Sequence, residues 1–164
     1  LMGHVARANP VWRLLTADTP SVVMFQGAQS YITPSWYPGK AEHGRVVPTW
    51  NYVVAHAHGT ARAIEDPDWM RDMLIRLTDS QESQQTSPWR VSDAPSSFIE
   101  KLMRGIVGIE IQINRLEGKL KASQDEDSRD RHGTVRGLQS IHSDQSREMA
   151  ELILSTLTNE APQS

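Results

Sequence analysis

The spacing of apolar residues changes character along the chain, and the expected elements change with it. Residues 21–33 are β-branched and aromatic and are interrupted by Gly27, which predicts two short strands around a turn, the second ended by Pro34. Between 35 and 47, Pro38, Gly39 and Gly44 break any period while Lys40, Glu42 and His43 favour water, so a loop is expected. Extended structure resumes over 46–58, where Thr49, Trp50, Asn51, Tyr52, Val53 and Val54 have high β propensity. Gly59 marks a turn or bulge, and 61–64 could continue the sheet.

From Asp66 the period becomes helical. Asp66 suits an N-cap and Pro67 a first turn, and Trp69, Met70, Met73, Leu74 and Leu77 recur on one face until the polar run 79–86 frays the helix. A second helix is predicted near Ala94-Pro95, with Phe98, Ile99, Leu102 and Met103 turned inward. Val107, Ile109, Ile111 and Ile113 then alternate with Gly108, Glu110, Gln112 and Asn114, the mark of a half-buried strand. It extends or turns through Glu117-Gly118 into 119–123. Seven of the eight residues 125–132 are charged or titratable, which predicts an exposed helix start or loop. Met149, Leu152, Ile153 and Leu157 share a helical face near the end, and 159–164 reads as a short tail. Strands first, then helices mixed with another strand, give an α+β class with an antiparallel sheet. Closing that sheet into a barrel would remove its exposed edges.

Composition narrows the class. The 164 residues are 38% hydrophobic and contain no cysteine, which predicts one domain over 1–164, its part from about 125 to 158 helical, without disulfides or thiolate chemistry. No apolar run approaches the roughly 18 residues of a membrane span, and no signal peptide is visible, so a cytoplasmic protein without membrane contact is expected. Charge is uneven: residues 1–60 carry four basic and two acidic side chains, against thirteen and eighteen in the remainder. Six of the ten aromatics, Phe25, Tyr31, Trp36, Tyr37, Trp50 and Tyr52, lie in that charge-poor front. Such a segment is either core or a site for a flat organic ligand.

Three segments could carry chemistry. Residues 31–40 offer Ser35, Trp36, Tyr37 and Lys40, where a lysine and a hydroxyl can hold a phosphate, or where a solvated loop simply covers a core edge. Alternation over 47–52 puts Thr49 and Asn51 on one strand face, able to bond the edge of a heteroaromatic ring or to meet water. Lys119, Lys121 and Ser123 align on an extended chain before Gln124, suiting a phosphate or ribityl chain, or plain edge protection. His56 and His58 share a strand face but lack a third ligand of suitable spacing, so no metal is expected. There is no phosphate-loop motif, no nucleophile elbow, no basic stripe and no clear helix-turn-helix, and the sequence pI is about 6.1.

Taken together, the motifs of residues 3–10 (Gly-His-Val-Ala-Arg-Ala-Asn-Pro) with Trp12, of 31–37 (Tyr-Ile-Thr-Pro-Ser-Trp-Tyr) with Lys40, of 47–52 (Val-Pro-Thr-Trp-Asn-Tyr) and of 119–124 (Lys-Leu-Lys-Ala-Ser-Gln) resemble, in order and spacing, the PaiB family of FMN-binding negative transcriptional regulators. The resemblance implies an antiparallel split β-barrel flavoprotein like pyridoxamine 5'-phosphate oxidase, with peripheral helices, FMN as cofactor and a homodimer around it. It implies that Ser35 and Lys40 hold the phosphate, that Thr49 and Asn51 face the flavin, and that Lys121, Ser123 and Gln124 approach from the late strand. Trp36 and Tyr37 would wall the site, with His4, Arg7 and Asn9 on its substrate side. The family pattern continues Ser-Gln-Asn-Arg, whereas Asp125 and Glu126 follow Gln124 here, and carboxylates beside an anion are unfavourable. Against the family, the chain is expected to lack its first strands. The implied function is a regulator contacting DNA, although neither charge nor motif supports that contact. The alternatives are an FMN-dependent oxidoreductase of a small molecule and a haem-binding relative using His4, His56 or His58.

Overall fold

A computed structural model describes residues 1–16 and 19–158; the expected tail at 159–164 lies outside them. The chain is α+β. Strands β1 (Met2–Ala6), β2 (Thr19–Ile32), β3 (Thr49–Ile64) and β4 (Ile106–Lys121) form one sheet in the order β1-β4-β3-β2. Helices α1 (Gly39–Glu42), α2 (Pro67–Glu82), α3 (Ser96–Met103), α4 (Ser128–Gln139) and α5 (Asp144–Thr158) accompany it. Neighbouring strands are antiparallel. Met2 opposes Glu110 and Ala6 opposes Ile106 between β1 and β4. Arg62 bonds Glu110 while Gly59 meets Gln112 between β3 and β4. Gly27 meets Val53 while Tyr31 meets Trp50 between β2 and β3.

The expected break at Gly27 is absent: β2 is one 14-residue strand. A Cβ at Gly27 would stand 3.2 Å from that of Val53, so the glycine serves close strand approach, not a turn. Pro20 lies near the start of β2, an edge strand, where proline is tolerated. Strand β1 went unrecognised in the pattern, its five residues being too short to show a period. Strand β3 starts at Thr49, three residues later than expected, and continues through Gly59 to Ile64. The loop over 35–47 contains a 3-10 turn, Pro34–Trp36, and the short α1.

The chain divides into two compact units, Leu1–Val23 with Ala57–Leu116 and Met24–His56 with Glu117–Ser164. In the first, Asp66 caps α2 as predicted, its Oδ1 accepting the Asp68 and Trp69 amides at 2.8 and 3.1 Å. Met70, Met73, Ile99 and Met103 form this unit's core, and Gly108 leaves room for the Trp69 ring on β4. Leu77, Phe98 and Leu102 were expected inward and are exposed. Helix α3 has only eight residues, enough for one narrow apolar stripe, and Ile99 and Met103, four apart, fill it.

In the second unit, Ala28, Ile32, Tyr37, Ala122, Val135, Leu138, Met149, Ala150 and Ile153 form the core. Helix α5 buries Met149 and Ile153 as its period predicts, with Leu152 and Leu157 half-buried, and Ser143 Oγ accepts the Ser146 amide at 3.1 Å to start it. The expectation of an exposed segment over 125–132 fails at Asp130 and Arg131, which are buried. Asp127 caps α4 by accepting the Asp130 amide at 2.8 Å, and Asp130 in turn accepts the Gly39 amide at 2.9 Å.

Candidate functional site

The candidate cofactor residues all lie in the second unit. They form two lysine–hydroxyl pairs and one buried amide–hydroxyl pair. Ser35 sits in the 3-10 turn, where Thr33 Oγ1 accepts its amide at 3.2 Å, and the Lys40 ammonium donates to Ser35 Oγ at 3.1 Å. The turn bearing Lys40 is fixed from below by the Gly39–Asp130 bond. A side chain at Gly39 would displace this contact, since a Cβ there would stand 2.8 Å from Asp130 Oδ2. Thr49 opens β3, and the Lys121 ammonium at the end of β4 donates to its Oγ1 at 2.6 Å. Among the described residues neither lysine is ion-paired with a carboxylate, so each cation is aimed by a hydroxyl and keeps donors available.

Two residues beyond Thr49 on the same face, Asn51 is fully buried and its Nδ2 donates to Ser123 Oγ at 2.8 Å. At Asn51 this polar face therefore points into the protein, whereas Thr49 stays half-buried. Asn51 Oδ1 is buried without a hydrogen-bond donor. Ser123 lies past the end of β4 with φ 56°, a left-handed conformation, so the expected extended alignment with Lys119 and Lys121 stops at Lys121. Gln124 folds back on its own chain: its Oε1 accepts the Ala122 amide at 2.6 Å and its Nε2 donates to the Leu120 carbonyl at 3.0 Å.

The two aromatic residues of the motif have different surroundings. The Trp36 ring lies on α4, where Gly133 and Gly137 make room for its carbonyl and its indole; a Cβ on either would overlap it. Tyr37 is buried, and its hydroxyl has no hydrogen-bond partner of acceptable geometry. Burial first, and the Glu126 carboxylate second, push its pKa up to about 12, with the Thr134 and Ser123 side chains opposing. Glu126 is itself held above the usual carboxylate range, by burial and then by Asp125, Asp130 and Asp127, with Lys121 opposing. The acidic departure noted in the sequence thus sits within the electrostatic reach of Lys121.

Sequence reasoning missed Asp130 and the two glycines of α4, which position this site without carrying a motif. The one available signal was Asp127 three residues before Asp130, a capping spacing hidden in a charged run. Arg7 and Asn9, expected beside a substrate, are engaged in the other unit. Asn9 Oδ1 accepts the Val11 amide at 3.0 Å, and Arg7 pairs with Glu65 at 2.5 Å. His4 is exposed on β1.

Two ammonium groups without a carboxylate partner, each beside a hydroxyl, have the chemistry a phosphate dianion requires. Residues 1–115 match the family described as "Putative FMN-binding domain", and the chain belongs to that family, with FMN as its cofactor. It is 35% identical to an uncharacterized protein of Emericella nidulans and 31% identical to protease synthase and sporulation protein PAI 2 of Bacillus subtilis. Each match covers 93% of this chain and 71% of the relative. The flavocytochrome Anf3 from Azotobacter vinelandii is similar over 79% of this chain and 54% of its own, with a TM-score of 0.49 and 14% identity. No helix among the described residues is long and apolar enough to cross a membrane.

Proposed function

We propose that this chain is an FMN-binding, PaiB-like negative transcriptional regulator of the cytoplasm, with Ser35, Lys40, Thr49 and Lys121 holding the FMN phosphate. The observation that carries the cofactor assignment is the pair of ammonium groups, each held by a hydroxyl and by no carboxylate. Asn51, Ser123 and Gln124 shape the strand ends beside them, and Trp36 and Tyr37 set the turn against α4. Regulation is supported by the likeness to PAI 2, a protein named for protease synthase and sporulation. Bound FMN supplies one- or two-electron transfer. The second reading, an FMN-dependent oxidoreductase of a small molecule, is favoured by charge: 17 basic against 20 acidic residues leave no basic stripe for a phosphate backbone. A homodimer belongs to both readings, and the half-exposed Phe25, Tyr31 and Trp50 with the more exposed Met24 support it in the second unit.

The visible spectrum with and without added FMN tests the cofactor, where stoichiometric flavin bands are expected and a protein that ignores FMN overturns the reading. A mobility shift on DNA upstream of its own gene, followed over a salt series, then separates the two functions. A shift that survives physiological salt supports the regulator. None even at low salt, with turnover of a reduced nicotinamide, supports the oxidoreductase. Light scattering of the purified chain reads the dimer.

A further inference from the structure

The first unit contains a cavity of about 360 Å³ between the first turn of α2 and the end of α3, a volume within the range of small-molecule sites. Its floor is apolar, with Met70 and Met103 buried and Ile106 half-buried. The rim has three guanidinium and three carboxylate groups, unequally engaged. Arg7 is engaged through all three of its nitrogens: Nη1 donates to Glu65 at 2.5 Å, Nε to the Arg104 carbonyl at 3.0 Å and Nη2 to the Ile106 carbonyl at 3.2 Å. Arg71 stands 3.7 Å from Glu100, outside hydrogen-bond distance. Among the described residues, the Arg104 guanidinium and the Asp68 carboxylate have no ion-pair partner. One cation and one anion are thus left to be matched above a methionine floor.

We propose that this cavity binds a small zwitterion with an apolar tail, in chemical class an apolar α-amino acid. The carboxylate pairs with Arg104, the ammonium with Asp68, and the side chain lies on Met70 and Met103. An amphiphile with a single charge would leave one rim group covered and unmatched, which is unfavourable. Methionine is unbranched and polarizable, so the floor adapts to several tails and selects a class instead of one side chain. None of these residues belongs to the set assigned to FMN, and the proposal stands independently of that assignment.

The test uses the full chain loaded with FMN and labelled at the methionine methyls, titrated with L-leucine and followed by NMR. Saturable shifts of the Met70 and Met103 methyls are expected, with a Kd on the order of 1 mM or tighter. Isocaproate and isoamylamine keep the tail but only one charge each, and should bind at least about tenfold more weakly. Arg104→Gln and Asp68→Asn should each weaken leucine at least about tenfold while the flavin spectrum and the melting temperature stay unchanged. The proposal is overturned if leucine gives no saturable shift at about ten times that concentration, if either analogue binds as well as leucine, or if both variants keep full affinity.

Discussion

The amide of Asn51 and the hydroxyl of Ser123, 72 positions apart, meet in a 2.8 Å hydrogen bond from which water is excluded. Asn51 comes from β3 and Ser123 from the left-handed corner after β4, so the bond fixes how the chain leaves the sheet toward α4. Ser123→Ala keeps the backbone but leaves the Asn51 Nδ2 buried and unpaired, alongside an Oδ1 that already lacks a donor. Loss of stability of about 1–3 kcal/mol is expected in urea denaturation. Ser123→Val should lose more, because a β-branched residue strongly resists φ 56°. Equal stability of Ser123→Ala and the parent chain would remove the bond from any structural role.

Gly133 and Gly137 present one face of α4 to Trp36, but they meet different atoms. At Gly133 a Cβ runs into the Trp36 backbone carbonyl, and at Gly137 into the indole ring. Each alanine substitution raises helix propensity and still should destabilise, by about 1–3 kcal/mol, through overpacking. The partners separate them. Trp36→Leu in the Gly137→Ala background should recover part of the loss, whereas in the Gly133→Ala background it should recover none, because the carbonyl remains. A thermodynamic cycle on the four chains measures this, and rescue of both would contradict the backbone contact.

These two relationships mark where sequence reading succeeds and where it stops. Asp66-Pro67, the strand from Val107 to Ile113 and the helical period of Met149 and Ile153 follow from local rules and stand where expected, although burial along β4 does not alternate, Gly108 being buried and Ile113 exposed. Helix α4 obeys no such rule. The helical part expected over about 125–158 contains it, but its two glycines have a tertiary reason, the approach of Trp36 from far earlier in the chain. Gly27 misleads in the same way, being a contact with Val53 and not a turn. The lysines and hydroxyls were visible as motifs, but only the fold pairs Thr49 with Lys121, because the register of β3 on β4 cannot be read from either strand alone.

Tyr37 carries a buried hydroxyl that makes no well-formed hydrogen bond, although the Thr134 and Ser123 side chains beside it partly oppose the effect of burial. Its pKa is raised from 10.0 to about 12 by burial and then by Glu126, so the folded chain favours the neutral phenol more than the unfolded chain does. The linked stability is complete below pH 10.0 and is lost as pH rises from there towards about 12. Tyr37→Phe removes the titrating group. It should change stability little at pH 7, since only the weak contacts with Thr134 and Ser123 are lost, and its denaturation midpoint should fall less than the parent's across that alkaline window. A large loss at pH 7 would show that the hydroxyl is bonded after all.

The phosphate assignment makes a prediction that the flavin ring cannot imitate. Lys40 and Lys121 are aimed by Ser35 Oγ and Thr49 Oγ1, and neither ammonium is committed to a carboxylate. A charge-assisted bond to phosphate contributes about 1.5–3 kcal/mol, which is roughly a ten- to hundredfold change in affinity. Lys40→Ala and Lys121→Ala should each weaken FMN by about that factor, measured by quenching of flavin fluorescence. Riboflavin, which has the same ring and no phosphate, should bind parent and variants alike. The Lys121 effect should shrink as pH rises through the titration of Glu126, whose carboxylate competes for the same cation once it is ionised. Because that pKa lies above the usual carboxylate range, the competition is weaker at mildly acidic pH than an ordinary glutamate would give. Glu126→Gln should therefore tighten FMN in the parent and do less in Lys121→Ala. Riboflavin affinity falling in step with FMN would move these lysines from the phosphate to the fold, and FMN affinity unchanged in both variants would take them out of the site.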